Sequence, residues 1–202
     1  TQAQSAATQA QTIATTASKD AKGAILPVAW AKDTKISGRM YYNISDITRK
    51  VNGTKTESDV CFAIKRFYLG VDHQFNNVLS VNITTDVKEV GGVGQSVYIK
   101  KAYLQAKFSP AFAVRAGSTD LPWIPYVEGV YGYRYVENTL IDRLGFGTSA
   151  DWGVHVMGDL AGGIISYDVA AVDCAGYCNP QFSKAVDLEG RISAKYKGFN
   201  AA

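Results

Sequence analysis

The sequence predicts an all-β protein, specifically an antiparallel, up-and-down transmembrane β-barrel. From about Lys35 onward, apolar and polar residues alternate along eight separate runs, which is the period of a half-buried strand. The mean hydropathy is close to neutral, at −0.07, as expected when every strand has one polar face. No stretch approaches the roughly 18 consecutive apolar residues of a membrane-spanning helix, and this excludes a helical membrane protein.

The chain opens with a segment of different composition. Residues 1–24 are almost entirely Thr, Gln, Ala and Ser, and Ile13 is their only large aliphatic residue. Such a segment buries too little apolar surface to offset its ordering entropy. We expect a disordered tail or a frayed helix over 1–24, followed by barrel strands over 25–202.

The eight runs are predicted strands of roughly nine to eleven residues, the length that crosses a bilayer at a tilt. In the clearest run, the odd-numbered positions from Leu79 to Val87 are apolar or Thr, and the even-numbered ones are polar. The runs cover residues 35–44, 66–75, 79–87, 101–108, 112–119, 152–160, 165–171 and 186–196.

Short and long connections between the runs are expected to alternate. The short ones follow the second, fourth and sixth runs, and the longer ones lie around 51–55, at 91–94, at 120–149 and at 173–184. Outer-membrane barrels have short periplasmic turns and longer outward loops. This arrangement would put the N-terminal segment on the periplasmic side.

A soluble antiparallel sandwich is the alternative, because its strands alternate in the same way. Two features favour the membrane barrel: the polar faces carry many charges, and the apolar faces end in aromatic residues, as interfacial girdles do. These aromatics are Tyr42, Phe75, Phe108, Phe112, Trp152, Tyr167 and Tyr196.

Several segments resemble the phosphate-selective (O and P type) porin family of Gram-negative outer membranes. The resemblance rests on the order and spacing of four pieces over about residues 34–198. These are KRFYLGV at 65–71, YIKKAYLQAKF at 98–108, VRAG at 114–117, and RLGFG at 143–147 leading into DWGV at 151–154.

The resemblance implies a sixteen-stranded, commonly trimeric channel for small hydrophilic solutes, with the connection after the fifth strand folded into the lumen as a constriction. Eight strands are half of that number, so we expect this sequence to be the N-terminal half of such a porin. An autonomous eight-stranded barrel is the alternative, but its interior would be filled by side chains. The thirty-residue connection could not fold inside it.

The strand phase assigns one set of charged residues to the lumen. The predicted pore-lining residues are Arg39, Arg66, Lys101, Lys107, Arg115 and Arg191. Lys35 and Lys195 share this phase, as do Asp72, Asp86, Asp159, Asp168, Asp187 and Glu189. A basic ladder of Arg39, Arg66, Lys101 and Arg115 would favour the passage of anions. Phosphate is one possible solute. Pairing of opposite charges across neighbouring strands is the alternative.

The connection at 120–149 is the candidate gate. Its predicted constriction residues are Trp123, Tyr126, Glu128, Arg134, Glu137 and Arg143. Its aromatic residues could instead pack the loop on the rim of the barrel. They could also bind carbohydrate if the chain were a soluble or surface β-domain, which is the alternative function.

Other classes of function are not supported. The net charge of +3 is too small and too scattered for nucleic-acid binding. His73 and His155 are the only histidines, and no nucleophile motif lies near either, so neither an enzyme nor a metal or other cofactor is expected. Cys174 and Cys178 are predicted to form a disulfide in an outward loop. The expected location is the bacterial outer membrane. The expected partners are outer-membrane lipid and small hydrophilic or anionic solutes. A complete chain is expected to form a homo-trimer with two further copies.

Overall fold

A single long helix comes first in the computed structural model, which describes residues 2–90, 94–173, 175–180 and 185–202. This helix, α1, spans Gln2–Lys32 and so continues past residue 24, the predicted end of the tail. Thr12, Thr15 and Thr16 donate their hydroxyls to carbonyls four residues earlier, at 2.8–3.0 Å. These bonds satisfy the hydroxyl groups inside the helix. The chain divides into two compact units, Thr1–Lys35 and Ile36–Ala202.

The rest of the described chain is dominated by one antiparallel sheet. Each of the eight predicted runs coincides with one of its strands, except that Phe75 and Val186 each lie one residue outside the strand. The strands are β1 (Thr34–Val51), β2 (Thr54–Gln74), β3 (Leu79–Val90), β4 (Gly94–Ser109), β5 (Phe112–Asp120), β6 (Ala150–Leu160), β7 (Ile165–Val172), β8 (Asp187–Tyr196) and β9 (Phe199–Ala201).

The strands are ordered β1 to β9 across the sheet, each paired with its neighbours in sequence. The predicted all-β, up-and-down antiparallel fold is therefore confirmed. Over the described residues the sheet is open, with β1 and β9 at its edges. No helix among these residues is both long and apolar enough to cross a membrane.

The first hairpin differs from its prediction. β1 and β2 are 18 and 21 residues long, well beyond the predicted nine to eleven. The longer connection predicted around 51–55 is instead a two-residue turn at Asn52 and Gly53, with φ of 50° and 81°. An Asn-Gly pair with positive φ at both positions matches the twist of a hairpin. The polar flanks of this turn therefore belong to strands, although their alternation is weak.

The two faces of the sheet differ as predicted. Apolar side chains on one face are largely exposed: Ile36 is 71% accessible, Leu188 79% and Ile192 74%. The opposite face carries the polar residues, and part of it is covered by the chain between β5 and β6. The small apolar core lies under this covering segment, where Leu121 packs with Ala170 and Val172.

Candidate functional site

The segment from Leu121 to Ser149, called here the β5–β6 loop, lies on the polar face of the sheet. It contains α2 (Ile124–Tyr131) and the one-turn α3 (Leu140–Arg143). Pro125 suits the start of α2, where its missing N–H has no partner to lose. Gly132 ends α2 in the left-handed conformation, with φ of 72°.

The beginning of the loop is held by what we call the first anchor, which combines apolar packing with one arginine. Leu121 and Ile124 are 3% and 1% exposed. Arg191 of β8 donates from Nε to the Pro122 carbonyl oxygen at 2.9 Å. Its guanidinium also stacks on the Tyr126 ring, 4.5 Å from the ring centre. The first turn of α2 is thereby fixed to β8.

Tyr126 extends this contact to the far edge of the sheet. Its hydroxyl lies 2.6 Å from Oδ1 of Asn200, in β9. The tyrosine predicted to belong to a constriction therefore lies on the polar face and contacts side chains from two strands.

The later part of the loop is held by what we call the second anchor, which is ionic. Lys65 of β2 donates to the Val136 carbonyl oxygen at 2.7 Å and lies 3.5 Å from Glu137 Oε1. Arg143 pairs with Glu137 Oε2 at 2.9 Å. The Asn138 backbone N–H, together with Lys65 and Arg143, holds the pKa of Glu137 below its usual range, and burial opposes this shift only in part.

The remaining predicted loop residues stabilise the loop internally or face outward. Arg134 Nε bonds Glu128 Oε1 at 2.6 Å, and both side chains are largely buried. Trp123 is exposed by 46%. Three exposed tyrosines, which pack ring against ring, form the tip after α2: Tyr131, Tyr133 and Tyr135.

α2 divides the polar face into two clefts. The cleft on the β8 side has a volume of about 820 Å³ and is lined by Lys107, Arg115 and Arg191 among others. The cleft on the β1 side has a volume of about 460 Å³ and is lined by Arg39 and Lys101 among others. Pro125 lines both clefts. Five of the six predicted pore-lining residues therefore line a cleft.

Arg66, the sixth, is bound within the sheet. Its Nη1 lies 2.9 Å from Oδ2 of the fully buried Asp86, which also accepts a bond from the Tyr98 hydroxyl at 2.8 Å. Lys101 is likewise paired, with Asp120 Oδ2 at 2.9 Å. Two members of the predicted basic ladder thus have carboxylate partners, which agrees with the alternative of cross-strand pairing for these two residues.

Arg115 and Arg191 are held by neutral groups. Arg115 donates to Gln105 Oε1 at 2.7 Å and to Thr119 Oγ1 at 2.9 Å, and it stacks on the Tyr103 ring at 4.3 Å. Arg191 donates to Ser193 Oγ at 2.6 Å in addition to its contacts in the first anchor. Because these partners carry no charge, both arginines present net positive charge to the larger cleft.

Lys100 is a cleft residue that strand phase alone did not identify. Thr84 pairs with Lys101 but Thr85 pairs with Ile99, so Lys100 is an extra residue in β4. Such a bulge redirects a side chain, and Lys100 lines the same cleft as Lys101. Two consecutive lysines in an alternating strand were a signal, because without a bulge one would face the apolar side.

Two further features are the predicted disulfide and a buried histidine. Cys174 lies outside the described residues, so its disulfide with Cys178 stays a prediction. His155 is fully buried, and its Nδ1 lies 3.1 Å from Asp168 Oδ1. Within the described chain, no three His, Cys, Asp or Glu side chains gather as a metal site.

Comparison with known proteins gives one match. The family model described as phosphate-selective porin O and P matches residues 34–124, from the start of β1 to the start of α2. No curated protein and no solved structure matches the chain. The matched family points to a channel rather than an enzyme. The resemblance to the phosphate-selective porin O and P family that the sequence predicts is therefore confirmed over residues 34–124.

Proposed function

We propose that the sheet forms part of the wall of a water-filled outer-membrane channel through which small hydrophilic solutes diffuse passively. The family match supports a channel of this class. The exposed apolar face is suited to lipid, and the polar face to water. Enclosing a lumen requires strands that pair with β1 and β9, because an open sheet leaves both edges without partners.

The position of the β5–β6 loop is the observation that carries this proposal. The loop lies on the polar face and contacts side chains from β2, β8 and β9. In a closed barrel this face would line the lumen, so the loop would narrow the passage. Trp123, Tyr126, Glu128, Arg134, Glu137 and Arg143 would then contribute to or support a constriction.

We further propose that the channel prefers anions. The larger cleft contains four basic side chains and two acidic ones. These are Lys107, Arg115, Arg191 and Lys195 against Asp159 and Asp168. Basic residues lining a pore attract anions and repel cations. Phosphate, the anion named in the family description, is one candidate solute.

Single-channel recording of the full-length protein in planar lipid bilayers tests both proposals. We expect open-channel currents with chloride more permeant than potassium. Equal permeability of the two ions would contradict the anion preference. A protein that stays folded and monodisperse without detergent or lipid would contradict the membrane channel itself.

Deletion of residues 124–138 tests the role of the loop. The deletion removes α2 and the Glu128–Arg134 pair and should raise single-channel conductance, because the passage would lose its narrowest part. Unchanged conductance would place the loop at the rim. Cross-linking of the full-length protein in native membranes would test the proposed homo-trimer and its outer-membrane location.

A further inference from the structure

The β4 bulge puts a lysine into an unusual environment on the polar face. Lys100 is only 7% exposed. Its Nζ lies 3.5 Å from the Tyr68 hydroxyl and 5.0 Å from the centre of the Tyr68 ring. The centre of the Tyr177 ring lies 5.8 Å from the same Nζ. The ammonium group is therefore held by aromatic rings, and the salt bridges of the described residues do not include it.

Lys100 lines the cleft on the β1 side. The other buried or half-buried charged side chains there have polar or oppositely charged partners instead of aromatic rings. Lys101 pairs with Asp120 at 2.9 Å, and Arg134 pairs with Glu128 at 2.6 Å. Asp72 accepts a bond from the Asn82 amide at 2.7 Å. Arg39, in contrast, is exposed, and its Nη1 donates to the Tyr41 hydroxyl at 3.4 Å.

This difference matters for the field inside the cleft. A cation paired with a carboxylate forms a dipole, whose potential decays faster with distance than that of a single charge. An aromatic ring attracts a cation through its quadrupole without cancelling the positive charge. A buried charge is also poorly screened by water and salt. Lys100 therefore contributes more unbalanced positive potential to the cleft than the Lys101–Asp120 pair does.

We infer that Lys100, placed in the cleft by the bulge, is a main determinant of selectivity for small inorganic anions. This inference rests on the proposed channel function and assigns its selectivity to one side chain. Arg66 and Lys101, although in phase with the lumen, contribute less because each is matched by a carboxylate. Tyr68 and Tyr177 are positioning residues that hold the ammonium group without neutralising it.

The test is the chloride-to-potassium permeability ratio of the full-length protein, taken from the zero-current potential in a KCl gradient. Lys100→Gln should lower the ratio by about threefold or more, because it removes an unmatched charge. Lys100→Arg keeps the charge and should retain the ratio. Lys100→Met keeps much of the side-chain length against the rings and should behave like Lys100→Gln.

Two controls separate this effect from a change in net charge. The double variant Lys101→Gln with Asp120→Asn removes a matched pair and should leave the ratio almost unchanged. Lys55→Gln, beside the β1–β2 turn, removes the same formal charge as Lys100→Gln and should also leave it unchanged. A Lys100→Gln ratio equal to that of either control would overturn the inference.

The remaining outcomes are also decisive. If the wild-type protein forms channels with no anion preference, both the proposed preference and the inference about Lys100 are wrong. If it forms no channels, the proposed channel function itself is wrong. If Lys100→Gln and Lys100→Met form no channels while Lys100→Arg does, Lys100 is required for folding and its assignment to selectivity is overturned.

Discussion

The first and second anchors hold the two ends of the β5–β6 loop to the sheet by different physics. The first combines buried side chains, Leu121 and Ile124, with the Arg191 contact to Pro122. The second consists of Lys65 and Arg143 around Glu137, whose side chain is 40% exposed. Burial of apolar surface depends little on salt or acid, whereas exposed ion pairs depend on both.

The comparison indicates how the loop would move. An exposed ionic anchor opens at a lower free-energy cost than a buried apolar one. We therefore expect the segment from Tyr133 to Arg143 to detach first, with α2 remaining on the sheet. Amide hydrogen exchange of the full-length protein in detergent micelles would report on the two anchors separately, because each anchor has its own backbone amides.

Ile124→Ala should have the largest effect. Removing most of a 1%-exposed side chain costs about 2–4 kcal/mol in lost burial and cavity formation. Exchange of amides in α2 should accelerate accordingly. Val130→Ala, in the same helix but 64% exposed, is the control and should change little. Equal effects of the two variants would show that the first anchor is not apolar.

Arg191→Gln should have the next largest effect. It removes the bond to the Pro122 carbonyl oxygen and the stacking on Tyr126, together worth on the order of 1–2 kcal/mol. Exchange at Leu121 and Trp123 should accelerate while exchange near Glu137 stays as it was. Lys195→Gln, which removes a charge from the same cleft, is the control. Faster exchange around Glu137 alone would contradict the assignment of Arg191 to the first anchor.

Glu137→Gln should have a smaller effect, confined to the second anchor. Exposed ion pairs contribute about 1 kcal/mol or less, so exchange around Val136 should accelerate modestly. Asp46→Asn, a carboxylate in β1, is the control for net charge. An effect on α2 as large as that of Ile124→Ala would show that the two anchors are one cooperative unit.

Acid should weaken the second anchor before the first. The pKa of Glu137 is lower in the folded protein than its ordinary value of 4.5. Its stabilising contribution is therefore fully present well above pH 4.5 and is lost as the pH falls below that value through the folded-state pKa. Protection of the amides near Glu137, taken relative to the intrinsic exchange rate at each pH, should fall in this range, and Glu137→Gln should remove that pH dependence of protection. A pH dependence that persists in the variant would assign it to another group.

Salt should produce the smallest change. Raising the ionic strength shortens the Debye length and screens exposed pairs, so exchange near Arg143 should accelerate slightly while exchange at Ile124 stays constant. Potassium chloride and sodium chloride should act alike if the effect is screening. A larger response at Ile124 than at Arg143 would reverse the proposed order of the two anchors.

Residues 35–44, 66–75 and 79–87 illustrate what the alternation predicted well. Apart from Phe75, which follows the last residue of β2, these residues all lie in strands of the observed sheet, because the period of two is imposed locally by the strand backbone. The turn at 52–53 was predicted less well. Its Asn-Gly pair is a hairpin signal, but the flanking residues alternate too weakly to show that β1 and β2 extend to it.

The candidate site was predictable in composition but not in its pairings. Arg39, Lys107 and Arg115 line clefts on the polar face, as their phase indicated. The partner of Lys101, however, is Asp120, and the partner of Arg66 is Asp86. Both pairs join residues 19 or 20 positions apart, and strand phase cannot show which carboxylate comes within bonding distance.

The sequence by itself determined that the chain forms two-faced antiparallel strands in sequential order, because side-chain alternation and turn residues are local properties. Only the tertiary structure decided which charges remain unmatched. The β4 bulge brings the Lys100 side chain into the same cleft as that of Lys101, and the β5–β6 loop places Pro122 against Arg191. These contacts depend on strand register and on packing between distant segments, and both are fixed only when the whole sheet assembles.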